Sequence, residues 1–140
     1  MTRIADGLWR WTTAHPDWKP SDDWDEEVGC VYCETDEAVV LVDPLVPGEL
    51  AERTRFLEAL DRDVVRLDRP VVCLLTCTWH ARSSEELASR YDGRVVTRAA
   101  GEEPPTGVRV LDIPSEGEWV VWLEQRGALV PGDVVLGTDD

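Results

Sequence analysis

Long apolar segments and lysine are almost absent from this chain. No apolar run approaches the roughly 20 residues that a helix needs to cross a bilayer, which argues against a membrane-embedded protein. Residues 1–11 include Arg3, Asp6 and Arg10 but no apolar core of the kind that marks a secretory signal. We therefore expect a cytoplasmic protein.

Positive charge is scarce as well. The chain has 29 acidic and 14 basic residues, a formal net charge of −15, and Lys19 is its only lysine. Nucleic-acid affinity comes mainly from Lys and Arg that neutralise phosphates, so we expect neither nucleic acid nor a membrane as a partner. With 43% hydrophobic and 31% charged residues, the composition is typical of a globular protein. A length of 140 residues predicts a single domain over 1–140.

The spacing of apolar residues predicts alternating strands and helices. Strands are predicted at 7–13, 28–34, 37–42, 70–76, 94–97, 107–111, 118–124, 127–130 and 134–136. One helix is predicted at 48–65, with an apolar stripe of Leu50, Leu57, Leu60 and Val64. A second helix follows residue 82 and begins with a capping box of Ser83 and Glu86. This order is typical of an α/β fold with a mixed sheet.

Two sets of residues favour structure over chemistry. Cys30 and Cys33 have Cys-x-x-Cys spacing, but inside a strand this spacing places the side chains on opposite faces. Trp18 and Trp24 lie in the loop at 14–27 and are expected to fold back as a lid on the core. Together with Trp9, Trp11 and Trp79 they can also line an aromatic pocket over the rim of the sheet.

Three ordered stretches resemble the metallo-β-lactamase superfamily. They are the apolar run 39–42 before Asp43, the run 72–76 with the following loop and helix, and the run 127–130 before Pro131, Gly132 and Asp133. Order and spacing agree with that family over about residues 4–137. The resemblance implies an αββα sandwich with a mixed sheet and two main helices, apparently incomplete at the C-terminal end.

The metal-binding loop of that family is largely replaced here. The family carries a His-x-His-x-Asp-His run that binds one or two metal ions, and the matching positions are Cys77, Trp79, Ala81 and Arg82. A guanidinium at Arg82 opposes the binding of a cation. The later family histidine, expected near 113–119, has no counterpart, and neither has the histidine that normally follows the Gly-Asp segment. Asp133 alone keeps its place among the expected ligands.

The remaining donors permit a reduced, mononuclear site. Cys77, His80 and Asp133 are the candidate metal ligands, because thiolate, imidazole and carboxylate all bind zinc. His80 and Asp133 are also the candidate catalytic residues, since imidazole titrates near neutrality. The alternatives are a loop histidine bonded to backbone and an aspartate that caps a loop.

A ligand can also bind beside these residues. Asp43 and Asp133 are each predicted to end a strand at the same rim of the sheet, where ligands bind in such folds. Arg82 at that rim can bind an anion or pair with Glu85 or Glu86. Trp79, Arg82 and Asp43 are therefore the candidate ligand-binding residues.

Three functions remain open. The first is a fold with an eroded metal site, non-catalytic or binding a small molecule, without a cofactor. The second is a metal-dependent hydrolase with one zinc ion at Cys77, His80 and Asp133 and water as nucleophile, acting on an ester, an amide or a similar bond. The third is a structural fragment completed by pairing in a homo-oligomer, which would cover an open sheet edge or face.

Overall fold

Nine strands and two α-helices make up residues 1–135, the part of the chain that the computed structural model describes. Six strands come first: β1 Thr2–Ala5, β2 Leu8–Ala14, β3 Glu27–Glu34, β4 Val39–Val42, β5 Val71–Leu74 and β6 Arg94–Val96. Three follow: β7 Val108–Ile113, β8 Glu118–Leu123 and β9 Ala128–Val130. The helices are α1 Leu50–Leu67 and α2 Ser84–Arg90.

The strands form two sheets. β1 to β6 lie side by side in chain order, antiparallel from β1 to β4 and parallel from β4 to β6. β7, β8 and β9 form a second, antiparallel sheet. Parallel neighbours need a crossover, and α1 and α2 supply the two crossovers between β4 and β6. The predicted α/β fold with a mixed sheet and two main helices is therefore confirmed.

The central strands of the six-stranded sheet are buried on both faces. Leu41 and Leu60 belong to a core between this sheet and the helices, whereas Val40 and Val121 belong to a core between the two sheets. Every residue of β4 and β5 is buried, which explains why both strands are continuously apolar rather than alternating. The described chain thus has three layers: helices, mixed sheet and small sheet.

The Cys-x-x-Cys spacing separates its two cysteines, as predicted. Cys30 lies in the core on the helix side, and Cys33 lies in the core between the sheets. Both are buried and neither is in a disulfide. Side chains on opposite faces of one sheet cannot hold one metal ion, so this pair is structural.

Helix α1 begins with a side-chain cap. The Glu49 carboxylate accepts the backbone N–H groups of Ala51 and Glu52, which satisfies two of the free donors at the first turn. Leu50 is exposed, so its assignment to the buried stripe is wrong: the helix starts at this residue, and the stripe that packs against the sheet begins at Phe56. No helix within residues 1–135 has both the length and the apolar character needed to traverse a bilayer.

The capping box predicted for α2 is wrong. The Ser83 hydroxyl accepts the backbone N–H of Val46 at 2.9 Å instead of capping its own helix. Glu86 pairs with Arg53 on α1. The Ser83 N–H also donates to the carbonyl of Pro44 at 3.0 Å. These bonds tie the start of α2 to the loop after β4 and thereby hold the loop at 77–82 over the end of that strand.

The chain turns away from the sheet after β9. Pro131 has no N–H to donate to a ladder, and Gly132 has a φ of 60°. Val134 and Val135 form a bend rather than a strand, so the strand predicted at 134–136 is not seen at its first two residues. Leu136 lies outside the described residues.

The small sheet presents an apolar outer face. Leu111 and Leu129 are exposed there, on the side opposite to the buried Val108 and Val121. The oligomer hypothesis requires a face of this kind. That a second copy covers it stays a prediction.

Candidate metal centre

The site is built on the ends of two neighbouring parallel strands. Asp43 follows β4 and Thr76 follows β5, so both lie at the carboxyl edge of the mixed sheet. The Asp43 side chain accepts the Thr76 N–H at Oδ1 (2.8 Å) and the Thr76 hydroxyl at Oδ2 (2.6 Å). Asp43 is 4% exposed and has a φ of 48°. A buried carboxylate in left-handed backbone is held there by its partners.

His80 completes the shell of Asp43. It ends the short 3₁₀ turn Thr78–His80, and its Nδ1 lies 3.0 Å from Asp43 Oδ2. A carboxylate only accepts, so a metal ion bound at Nε2 would leave the ring proton on Nδ1, where Asp43 accepts it. This arrangement is the usual one for a metal-binding histidine, in which a carboxylate fixes the tautomer and the ring. The alternative of a histidine bonded only to backbone is therefore wrong.

Asp133 reaches the same point from the other sheet. Its N–H donates to Glu118 Oε2 at 3.1 Å, and its Oδ2 accepts the indole N–H of Trp79 at 2.9 Å. The same Oδ2 lies 3.3 Å from His80 Nε2. Asp43 and Asp133 end strands of two different sheets, not of one as predicted, yet His80 stands between their carboxylates.

Cys77 lies beneath this pair. One donor atom each from Cys77, His80 and Asp133 lies within 4.8 Å of the others. Cys77 is 2% exposed. Burial, followed by the charge of Asp43, raises the pKa of its thiol to about 12. All three residues proposed as ligands from the sequence are therefore brought together.

The separation of His80 and Asp133 suits a small divalent cation. Two ligands at about 2.0–2.1 Å from zinc, at a tetrahedral angle, are about 3.3 Å apart. The Nε2–Oδ2 separation of His80 and Asp133 is 3.3 Å, longer than the usual N–H···O hydrogen bond of about 2.9–3.0 Å. Thiolate, imidazole and carboxylate are all zinc donors, so the donor set fits zinc.

Glu118 is a site residue that sequence reasoning missed. It begins β8, is 4% exposed and lies beside Asp133. Burial raises the pKa of its carboxyl. Its only sequence signal was its place in the range 113–119, where the resemblance expects a further ligand. With Asp43 and Asp133 it makes three carboxylates around one imidazole, of which Asp43 and Glu118 are buried and Asp133 is exposed.

Arg82 lies at the site but not as predicted. Its guanidinium donates to the backbone carbonyls of Asp43 at 2.9 Å and Gly29 at 3.1 Å. The pairing with Glu85 or Glu86 is not formed; Glu86 binds Arg53 instead. Arg82 has a φ of 40° and Asp43 a φ of 48°. These two hydrogen-bonded residues therefore both adopt left-handed backbone. Such strain clusters at functional sites.

A cleft of about 970 Å³ opens over these groups. Five of the six predicted site residues line it: Asp43, Trp79, His80, Arg82 and Asp133. The sixth, Cys77, does not. The loop before β3 supplies the facing wall with Trp24, which is 40% exposed. The prediction that Trp18 and Trp24 form a lid on the core is wrong: neither belongs to a core cluster, and the indole of Trp24 is open to the cleft.

The buried thiols make a prediction for chemical labelling. Burial raises the pKa of Cys30 to about 11 and that of Cys73 to about 12, so thiolate is scarce at pH 8. All four cysteines are buried and free. We expect the native, metal-free protein to react with a thiol reagent about 100-fold more slowly than the unfolded chain. Four thiols titrating at the unfolded rate without denaturant would contradict this burial.

A scan against models of protein families finds no match for this chain, and a search of curated protein sequences finds no significant match.

Proposed function

We propose that this chain is a metallo-β-lactamase-like domain that binds one zinc ion through Cys77, His80 and Asp133 and catalyses metal-assisted hydrolysis in the cleft. The observation that supports it is the convergence of these three donors within 4.8 Å, with the His80 ring fixed by Asp43. The layer order of helices, mixed sheet and second sheet agrees with the part of the αββα sandwich that the resemblance covers.

The three proposed zinc ligands occupy different sides of the site. His80 and Asp133 line the cleft, and Cys77 closes the site from the protein side. Three protein ligands leave one position of a tetrahedral site open towards the cleft. A bound zinc ion would supply activation of water and polarisation of a substrate carbonyl. Asp43 keeps the proton of His80 on Nδ1, so that Nε2 is free to bind.

Metal titration of purified, chelator-treated protein tests the proposal. We expect one equivalent of zinc per chain and, with Co²⁺ as a probe, an absorption band from thiolate-to-metal charge transfer. At a zinc concentration about 100 times Kd, the free energy of unfolding should rise by about 2.7 kcal/mol. Both responses are expected to disappear in Cys77→Ala.

Cys33→Ala is the matched control. Cys33 is buried as fully as Cys77, but it lies in the core between the two sheets and is not one of the proposed ligands. It is expected to lower stability yet to bind zinc like the parent protein. A protein that takes up no zinc and melts at the same temperature with and without it would refute the metal site.

A metal-free ligand-binding protein is the second candidate function. It is favoured by Arg82 and Trp79, which stand in the cleft at positions where the related family has metal ligands. In that case the cleft binds its ligand without an ion, and the Cys77→Ala variant keeps full affinity for it.

A further inference from the structure

The cleft over the metal centre is lined by more negative than positive groups. Five carboxylates line it, against two guanidiniums. Asp23 and Asp25 stand on the loop before β3, and Glu27 is the first residue of β3. These three acids are exposed. The chain as a whole has a formal charge of −15, which attracts cations over long range.

One of the two guanidiniums is already engaged. Arg82 donates to the carbonyl oxygens of Gly29 and Asp43, so this group serves to hold the wall of the cleft. Arg10 is the second cationic residue of the lining. A ligand that entered the cleft as an anion would face the exposed carboxylates of residues 23, 25, 27 and 133.

Two tryptophans are held in place at the same cleft. Trp24 packs edge-on against His15, with ring centroids 5.2 Å apart, and its carbonyl accepts the indole N–H of Trp18. Trp79 donates its indole N–H to Asp133. Trp24 and Trp79 are nevertheless 40% and 55% exposed. Exposed indoles fixed by specific contacts offer ring surface to a ligand.

We propose that the cleft recognises a substrate carrying an organic cation, a protonated or quaternary amine, through the indoles of Trp24 and Trp79, which both line the cleft, and the carboxylates of Asp23, Asp25 and Glu27. Indole faces attract such cations through the ring quadrupole, and the carboxylates add charge attraction. The inference rests on the proposed function only in one respect: the end of the substrate that reacts would lie against the metal centre.

Three probes of equal size separate the ligand classes: choline, its neutral isostere in which carbon replaces the quaternary nitrogen, and the tert-butylacetate anion. Binding to chelator-treated protein, with zinc absent, is measured by calorimetry. We expect choline to bind about tenfold more tightly than the neutral isostere, and tert-butylacetate to bind more weakly still.

Variants locate the preference in the cleft. Trp24→Leu and Asp25→Asn are each expected to reduce the choline preference about threefold to tenfold. Trp122→Leu and Glu102→Gln are the matched controls, since Trp122 lies on the small sheet and Glu102 in the loop before β7, and both should keep the parent's preference.

Several results would overturn the inference: equal binding of all three probes, tighter binding of the anion, no binding of any probe, or a preference that Trp24→Leu leaves intact. Because zinc is absent, this test is separate from that of the hydrolase. Zinc uptake without choline preference refutes the inference alone, whereas choline preference without zinc uptake refutes the hydrolase alone.

Discussion

Asp43→Asn is expected to leave the protein folded but to weaken zinc binding by about 10–100-fold. Asparagine tolerates left-handed backbone as aspartate does, and its amide oxygen can still accept from Thr76. The amide NH₂, however, replaces an oxygen that accepts from Thr76 and His80. His80 Nδ1 then accepts a hydrogen bond from the amide instead of donating one, so the ring proton moves to Nε2 and blocks the metal-binding lone pair.

Asp43→Ala is expected to be far more harmful, with a loss of about 2–4 kcal/mol in the free energy of unfolding. It would leave the buried Thr76 donors without their acceptor and place alanine at a φ of 48°. Denaturant titration measures the stability of both variants, and zinc titration measures the affinity. Unchanged zinc affinity in Asp43→Asn would show that Asp43 does not orient His80.

Asp61→Asn is the control for Asp43→Asn. Asp61 accepts bonds from Arg90 and Tyr91 at the surface between the helices, and the Arg90 guanidinium lowers the pKa of its carboxyl. Its contribution is therefore present at neutral pH and lost as the pH falls through that lowered pKa. We expect a cost of less than about 1 kcal/mol at pH 7 and no change in zinc affinity.

Gly132→Ala is expected to abolish zinc binding and to lower the free energy of unfolding by about 2–3 kcal/mol. A Cβ at this position would lie 2.7 Å from Thr76 Oγ1 and 3.1 Å from Glu118 Oε2. Both atoms belong to the bonds that hold the site together, and the φ of 60° adds strain. Relief requires the turn to move outward, which carries Asp133 away from His80.

Gly101→Ala separates the strain from the clash. Gly101 has a φ of 65°, yet an added Cβ there has no atom within 4 Å. This variant should lose only about 1 kcal/mol, from backbone strain, and bind zinc normally. Calorimetric melting measures the stability of both glycine variants, and zinc titration measures their affinity for zinc. If Gly132→Ala behaves like Gly101→Ala, Gly132 is not needed to place Asp133.

The elements themselves were largely predictable because their signals are local. Continuous apolar runs marked β4 and β5, and the 3.6-residue period marked α1. The errors fall where a tertiary contact outcompetes a local one. Ser83 has the right spacing to Glu86 for a capping box, but the N–H of Val46, 37 residues away, takes its hydroxyl. A local motif gives no information about such a competitor.

The candidate ligands were predictable as residue types, but Glu118 was not. Cys77, His80 and Asp133 stood out because the resemblance marked their segments. Glu118 lies in a strand that is otherwise mostly apolar and buried, and nothing in its immediate neighbours distinguishes it from a solvated acid. Only the packing of β8 against Thr76, whose carbonyl accepts the N–H of Trp119 at 2.7 Å, brings its carboxylate to the site.

By itself the sequence determined the class of structure: an acidic α/β chain, with strands and helices in their order and residues of the zinc-donor types in its loops. Those properties follow from composition and from periods of two to four residues. Tertiary structure alone decided that His80 stands between Asp43 of one sheet and Asp133 of the other. The reason is physical: the two aspartates are 90 residues apart, and their meeting depends on how two sheets pack, which no short period encodes.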